Sequence, residues 1–499
     1  MNNPEVVIIG GGPAGLTAAY ELAKKNITSI TLEKSSQVGG ISRTETYKGY
    51  RFDIGGHRFF TKVSEVQQLW HEVLASDMIK VPRLSRIYYD SKFFSYPLEP
   101  YNALSNLGLR NSALILASYC KTKLFPHPVE DNLEQWVTNR FGRRLYRIFF
   151  KTYTEKVWGI ECDKIQADWA AQRIKGLSLK KAVLNALFKV NNTKTLIKEF
   201  EYPRLGPGMM WERFQDILNE QGNTVHLDTA VLRLDREGKR ITNVVTGSGD
   251  RITQHTAKDF VSSMPITQLV QRLNPQPPDH ILQAAKNLKY RDFLIVPLII
   301  DQPNLFPDNW IYIHSPHFRV GRIQNFKNWS PEMVPDPQKT CVGMEYFCSE
   351  GDELWEKSEA ELIELASREI VGLGLVDSLD QIKDGTTIRQ HKAYPVYDGE
   401  YRQNLQVLQD YLKTFENLQT IGRNGMHRYN NQDHSMLTAI LAAKNIAGEN
   451  HDLWNVNVER SYHEDFTKEQ WKSKKEQGAI SPEAAQLSQR EISLEKVRD

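Results

Sequence analysis

The chain has 499 residues, 40% of them hydrophobic and 25% charged, with a formal net charge of +2. That length can bury a large core in two or three structural regions, and the charge is too near neutral for nucleic acid to be the main partner. The four cysteines (Cys120, Cys162, Cys341, Cys348) form no Cys-x-x-Cys pair and no zinc spacing, so buried reduced thiols are expected, with no metal site and no disulfide framework.

The apolar run Val6-Val7-Ile8-Ile9 leads straight into Gly10-x-Gly12-x-x-Gly15. A helical pattern follows from Ala14 to about Lys25, and Thr28 to Leu32 reads as a second strand ending at Glu33. Strand, glycines, helix, strand and acid in this order predict a βαβ unit that holds a dinucleotide. Gly10 permits the tight turn, Gly12 lets backbone approach a pyrophosphate, and Gly15 lets the helix pack close to the sheet. Pro13 and Ala14 stand at the helix N-terminus, whose free N–H groups face the phosphates. Glu33 is placed to accept from ribose hydroxyls. The chain enters a strand at once, so no signal peptide is expected. The longest apolar runs, near 113–117 and 293–300, are too short to span a bilayer. The expected location is therefore cytoplasmic, with no integral membrane segment and with peripheral membrane contact left open.

Val38-Gly39-Gly40-Ile41-Ser42-Arg43 suits a loop passing close to a cofactor's phosphates or ring, and a second glycine pair, Gly55-Gly56, precedes His57. Ser64-x-x-Gln67 predicts a capping box for a helix through Leu74. Residues 100 to 200 read mainly helical, with one amphipathic stretch from Asn132-x-x-Gln135. A basic stretch over 170–190 carries Arg173, Lys175, Lys180, Lys181 and Lys189. The latter is either a solvated face or a surface that draws anionic ligands or lipid. Strands are expected at 224–227, 230–234, 260–263, 293–300, 309–313 and 342–347, with Pro297 marking an edge or a bulge. Ser358-x-x-Glu361 predicts another capped helix. A late strand runs into Gly422-Arg423, and a helix over 435–447 closes at Gly448. Asp433 or Ser435 is the expected cap of that helix, whose N–H groups would favour negative charge on a bound ring. The last forty residues read as a charged surface helix and mobile tail.

Elements at both ends of the chain thus converge on one cofactor, which points to FAD rather than to a simple nicotinamide domain. Further motifs fall in a fixed order: Phe52-Asp53-Ile54-Gly55-Gly56-His57, Lys156-Val157-Trp158, Tyr202-Pro203, Arg322 through Pro331, Tyr394-Pro395, Gly422-Arg423, Arg428-Tyr429 and Asn431-Gln432-Asp433-His434-Ser435. With these the chain resembles the UDP-galactopyranose mutase family of the flavin amine-oxidoreductase superfamily. Protoporphyrinogen-oxidase-like FAD proteins share much of the pattern. The resemblance implies an α/β fold with a doubly wound Rossmann-type FAD-binding domain of the glutathione-reductase/amine-oxidase type. That domain is expected from residues 1–95, 200–270 and 405–460, with a helical region at 96–199, a mixed-sheet substrate region at 271–404 and a charged helix or tail at 461–499.

In such mutases reduced flavin N5 attacks the anomeric carbon of the sugar and UDP leaves, with no net redox change. The resemblance assigns Arg322 and Arg423 to the diphosphate, Tyr312, Tyr394 and Tyr429 to phenol donors on the same group, and Trp158 to uracil stacking. It sets His57 against the flavin near N5, and Gly40, Ser42, Arg43, Gly55, Gly56, Gly422, Arg423, Asn431, Asp433, Ser435 and Met436 along the cofactor, Met436 first over the ring. Arg322, Arg423, His57, Tyr394 and Tyr429 are the expected catalytic set. Departures fall on the substrate side: Thr154 replaces a common asparagine, Trp329 stands at a tyrosine position that faces substrate, and 204–211 has a different glycine pattern. A redox enzyme (an FAD oxidase or desaturase acting on an amine, porphyrinogen or polyene) is the alternative, and a non-catalytic flavin binder a third. The expected partner is a small molecule, a nucleotide diphosphate sugar under the first reading. No second nucleotide-binding glycine motif is present, which leaves NAD(P)H as a visiting reductant or another donor in its place. The sequence leaves the oligomeric state open.

Overall fold

Val6–Ile9 forms the centre of a five-stranded, all-parallel sheet ordered Val225–His226, Ser29–Leu32, Val6–Ile9, Asp259–Ser262, Leu418–Thr420 in the computed structural model. The structure describes residues 3–96, 98, 100–167, 195–196, 198–457 and 465–466. The basic stretch 170–190 and, apart from Asp465–Phe466, the C-terminal stretch 461–499 lie outside the described residues. The four residues of the central strand are all buried. Val6 and Ile8 pack with the helices Pro13–Lys24, Gly208–Glu220 and Gln432–Ile446, whereas Val7 and Ile9 pack on the opposite side with Val231, Leu234, Ile241 and Val244. Both faces are thus covered, which explains an uninterrupted aliphatic run where a half-exposed strand would alternate. The second cover is an antiparallel layer, Ala230–Glu237, Arg240–Ser248 and Arg251–Thr256, together with the helices Asp279–Asn287 and Tyr401–Leu412.

An eight-stranded mixed sheet forms the other half. Its path runs Ile382–Gly385, Tyr290–Ile300, Thr340–Cys348, Arg322–Asn325, Trp310–Ile313, Ser85–Tyr89, Lys92–Ser95, and Ile388–Pro395 also pairs with Tyr290–Ile300. Residues 85–95, grouped by sequence with the FAD region, join this sheet because Ser85–Tyr89 lies parallel to Trp310–Ile313. Pro297 is neither at an edge nor a bulge against its long neighbour, where it pairs in register with Gly343. On the opposite side Ile388–Pro395 pairs up to Ile295 and Ile382–Gly385 takes over from Leu298, so the proline that lacks an N–H falls where partner strands change.

Helices Pro100–Leu124 (broken by non-helical backbone at Gly108, φ 79°), Leu133–Phe141 and Thr152–Trp158 pack beside this sheet, the last preceded by a π-helical turn at Arg147–Lys151. The Asn132 side chain caps its helix by accepting from Gln135 N–H, and Ser358 and Glu361 form the expected capping box. Ser64 does not cap: Val63 occupies the N-cap position and Ser64 is already helical. Cys162, Cys341 and Cys348 are buried, but Cys120 is exposed on the 100–124 helix, contrary to expectation. Among the described residues no helix is long and apolar enough to cross a membrane.

Candidate functional site

The glycine turn is built by close backbone contact. Gly10 has φ of 103°, and a Cβ at Gly15 would lie 1.8 Å from the Gly10 carbonyl oxygen. No other residue fits at Gly15 without moving the helix off the sheet. Gly12 is the N-cap of Pro13–Lys24 and offers no side-chain acceptor to the first helical N–H groups. Facing it is Gly40, where a Cβ would approach Gly12 Cα to 3.4 Å, and Gly39 N–H donates to Gly11 O at 2.8 Å. Bare backbone thus lines both sides of a helix N-terminus, which fits the pyrophosphate of a dinucleotide. The Glu33 carboxylate is anchored by Gly11 N–H at 2.6 Å and Ser35 N–H at 2.9 Å.

The distant C-terminal segment closes on this turn. A Cβ at Gly422 would meet Ala14 Cβ at 2.9 Å, and Gly422 N–H donates to Thr438 Oγ1. Ser42 Oγ donates to Gln432 Oε1 at 3.1 Å, and the Arg43 guanidinium reaches Glu45, Gly40 O and Gln390. Asn431, rather than Asp433 or Ser435, is the N-cap of Gln432–Ile446, and its N–H donates to His434 Nδ1. Asp433 and Ser435 are buried within the first turn, where the carboxylate lies at the positive end of the helix. Met436, expected over the ring, instead turns its side chain into the core, and its sulfur accepts from Trp70 Nε1 at 3.1 Å. That leaves only its backbone for a ligand.

Against the second glycine pair stands a wall of guanidinium and phenol groups. A Cβ at Gly55 would lie 3.6 Å from an Arg322 terminal nitrogen and 3.8 Å from His57 Nε2. Arg322 Nε donates to the fully buried Glu345, which also accepts from Gln324. Burial acts to lower the Arg322 pKa, but the facing Glu345 carboxylate takes it well above its ordinary value, so the charge is fixed. Arg423 is held by carbonyl oxygens, Asn430 O and Ala393 O, both at 2.9 Å. Its guanidinium lies 4.5 Å from the centre of the Tyr429 ring and 5.6 Å from that of Tyr394. Those two rings stack at 5.7 Å and 15°. Burial raises the pKa of Tyr394 and Tyr153 and pushes Tyr312 up to about 12, so these phenols keep their protons and remain donors. His57 donates from Nε2 to Ile54 O at 2.9 Å; burial, reinforced by Arg423 and Arg322, pushes it down to about 4 and keeps it neutral.

Trp158 is buried edge-on to Tyr394 at 6.3 Å and beside Tyr429 and Tyr397. Trp329, expected on the substrate side, is only 2% exposed: its indole N–H donates to Asn309 O and its rings pack on Phe200, Tyr202 and Trp310. It backs the wall instead of facing it. Two members, Tyr153 and Glu345, were missed by sequence reasoning, and Lys156 entered only within a motif and was given no role. Tyr153 lies 5.4 Å from the Tyr312 ring and within the electrostatic reach of Arg322. Glu345 pairs directly across strands with Arg322, and Lys156 donates to Ile313 O, Ser315 O and Val320 O, tying down the turn between the strands of Tyr312 and Arg322. A lone acid inside the apolar strand Thr340–Cys348 was the readable sign of Glu345.

Residues 13–449 match the family model of flavin-containing amine oxidoreductases. A coproporphyrinogen III oxidase of Mycobacterium leprae (strain TN) is 30% identical over 157 residues, covering 29% of this chain and 35% of that protein. A Klebsiella pneumoniae protein described as a probable UDP-galactopyranose mutase is 25% identical over 178 residues, covering 34% of this chain and 44% of that protein. The chain thus spans less than half the length of these two curated relatives. Among solved structures, a reduced UDP-galactopyranose mutase superposes with a TM-score of 0.79 at 20% identity, covering 92% of this chain and 97% of that one.

Proposed function

The chain belongs to the flavin-containing amine oxidoreductase family, and on that premise we propose that it is an FAD enzyme that interconverts pyranose and furanose forms of a nucleotide diphosphate sugar. The observation that carries this reading is the placing of two guanidinium groups, Arg322 beside Gly55 and Arg423 against the rings of Tyr394 and Tyr429, in one cluster with the phenols Tyr153 and Tyr312. A pocket for a polyene or porphyrinogen core needs apolar lining, whereas this wall suits an anion.

FAD, the cofactor of this family, would be held by the Gly10–Gly15 turn, Glu33, the Gly39-Gly40 loop and the start of Gln432–Ile446; in reduced form it supplies a nucleophilic nitrogen. The chain's own groups do the rest. As the bond between the anomeric carbon and the diphosphate oxygen lengthens, negative charge grows on the diphosphate. Arg322 and Arg423 meet that charge, with guanidinium geometry suited to two oxygens at once. The phenols donate to the same oxygens, and Tyr153, Tyr312 and Tyr394, whose pKa burial raises, stay protonated through neutral pH. Trp158, assigned to uracil stacking by the resemblance, is buried and backs Tyr394 and Tyr429. Neutral His57 holds a fixed hydrogen bond beside the glycine pair and adds no third positive charge.

The test is anaerobic. Dithionite-reduced enzyme should convert UDP-galactofuranose, or another furanose in a panel of nucleotide sugars, into its pyranose, and oxidised enzyme should not. Stoichiometric oxygen consumption with a porphyrinogen or amine, and no isomerisation of any sugar nucleotide, would move the assignment to an oxidase. That second reading is favoured by one observation, the similarity to the coproporphyrinogen oxidase.

A further inference from the structure

Past a break at Gly108 (φ 79°), the helical stretch 109–124 of Pro100–Leu124 turns most of its apolar side chains outward. Its inward side carries Ile115 but also Asn111, Ser118 and Thr122. Asn111 Oδ1 and Ser118 Oγ accept from Arg144, so polar contacts share the docking with Ile115 and the partly buried Tyr119. The outward side is the apolar one. At 100° per residue Leu109, Ala113, Leu116, Ala117, Cys120 and Leu124 form one continuous exposed stripe. Leu109 is 92% exposed, and past the helix end Phe125 is 76% and Val129 55% exposed.

Cations flank this stripe on both sides. Arg110 and Lys121 lie exposed along one edge; Lys123, on the other, is exposed but its ammonium donates to Asn139 O. The helix contains no acidic residue. Glu130, near its end, is neutralised by Arg140. An apolar centre with basic edges suits one environment: the boundary between lipid tails and anionic headgroups, with leucine and phenylalanine in the acyl region and lysine and arginine at the phosphates. A second copy of the chain fits poorly, because a two-fold contact would set these cations against themselves.

We propose that the outward face of Pro100–Leu124, continued by Phe125 and Val129, docks the protein on an anionic lipid bilayer. It lies in the interface and does not span. The proposal is independent of the reaction at the flavin site.

The test uses the full-length holoprotein and vesicles of phosphatidylcholine, alone or mixed with phosphatidylglycerol. The protein should float with the mixed vesicles, less with the neutral ones, and less at high salt. Replacing Leu124 and Phe125 together by glutamate should weaken partition by about tenfold or more. The pair Leu232→Glu and Ile252→Glu, also exposed apolar positions but on the antiparallel layer of Ala230–Glu237 and Arg251–Thr256, should leave it unchanged. Flavin absorbance and thermal melting report whether each variant is folded. A polarity-sensitive dye on Cys120, the one exposed cysteine, gives a second readout in the parent protein and should shift to the blue on mixed vesicles. Absence of flotation at low salt, flotation indifferent to the Leu124/Phe125 change, or a dimer lost in that variant without lipid binding would each overturn the proposal.

Discussion

The two ends of the candidate site follow opposite rules. The dinucleotide end is made of missing atoms: Gly10, Gly12, Gly15, Gly40 and Gly422 bring backbone within contact distance, and a single added methyl at Gly15 would strike a carbonyl oxygen. The opposite wall is made of atoms present, charged and propped from behind. Arg322 rests on Glu345, Arg423 on two carbonyls, and the turn beyond Tyr312 on Lys156. Backbone recognition tolerates many ligands sharing a pyrophosphate, whereas a wall of side chains selects for charge and shape. Under the proposed function, the first end carries the family's shared property and the second what distinguishes one member from another.

This contrast can be broken by experiment. Gly15→Ala should have the largest effect: the new Cβ meets fixed backbone at 1.8 Å, so the helix must shift, and the purified variant should lose FAD on gel filtration and all turnover with it. Retention of stoichiometric FAD by a folded Gly15→Ala protein would show that the turn is not the cofactor's seat. Arg423→Ala should behave in the opposite way. FAD stays bound, while kcat falls by about 10²–10³-fold, as for loss of one charge-stabilising donor at a leaving group. Normal turnover in that variant would remove Arg423 from the diphosphate site. Loss of FAD instead would assign it to the cofactor end.

Legibility in the sequence follows the same division. The βαβ start was readable because its information is local: strand, glycines, helix and acid fall within about thirty residues, and each glycine has a steric reason. The caps at Asn132 and Ser358 were readable for the same reason, and the Ser64 box failed only because the helix begins one residue earlier than its pattern implies. The wall is different. Glu345 faces Arg322 because two strands pair in one register, and a shift of one residue would turn the carboxylate to the other side of the sheet. Tyr153 reaches Tyr312 across two elements with no sequence relation. Trp329 was misplaced because a motif gives order along the chain but not direction: its indole points to Asn309 O and the aromatic core. The resemblance pointed to Arg322 and Arg423, which the structure sets in one wall, and not to the Glu345 carboxylate and the carbonyls that support them.

A smaller prediction concerns the layer behind the wall. His314 is buried, stacked on Tyr153 at 4.7 Å and 8°, with Lys156 nearby. Burial, and then the Lys156 charge, pushes its pKa from 6.5 down to about 3. Because the folded value lies below the unfolded one, the unfolded chain takes up this proton first as pH falls. The stabilising contribution is complete above about pH 6.5 and is lost progressively toward pH 3. Lys156, lowered to about 8, is protonated in both states below pH 7 and adds no slope there. His57 and His427, each pushed down to about 4 by burial, add slopes of the same sign. His314→Phe keeps an aromatic ring against Tyr153 and removes one of these three protons. Thermal melts at pH 7 and pH 5 should therefore show a smaller acid loss in the variant, by at most about 2 kcal/mol, while the remaining histidines preserve part of the slope. An unchanged gap between the two pH values would mean that His314 does not stay neutral behind the wall, and that Tyr153 is backed by a charge rather than by a ring.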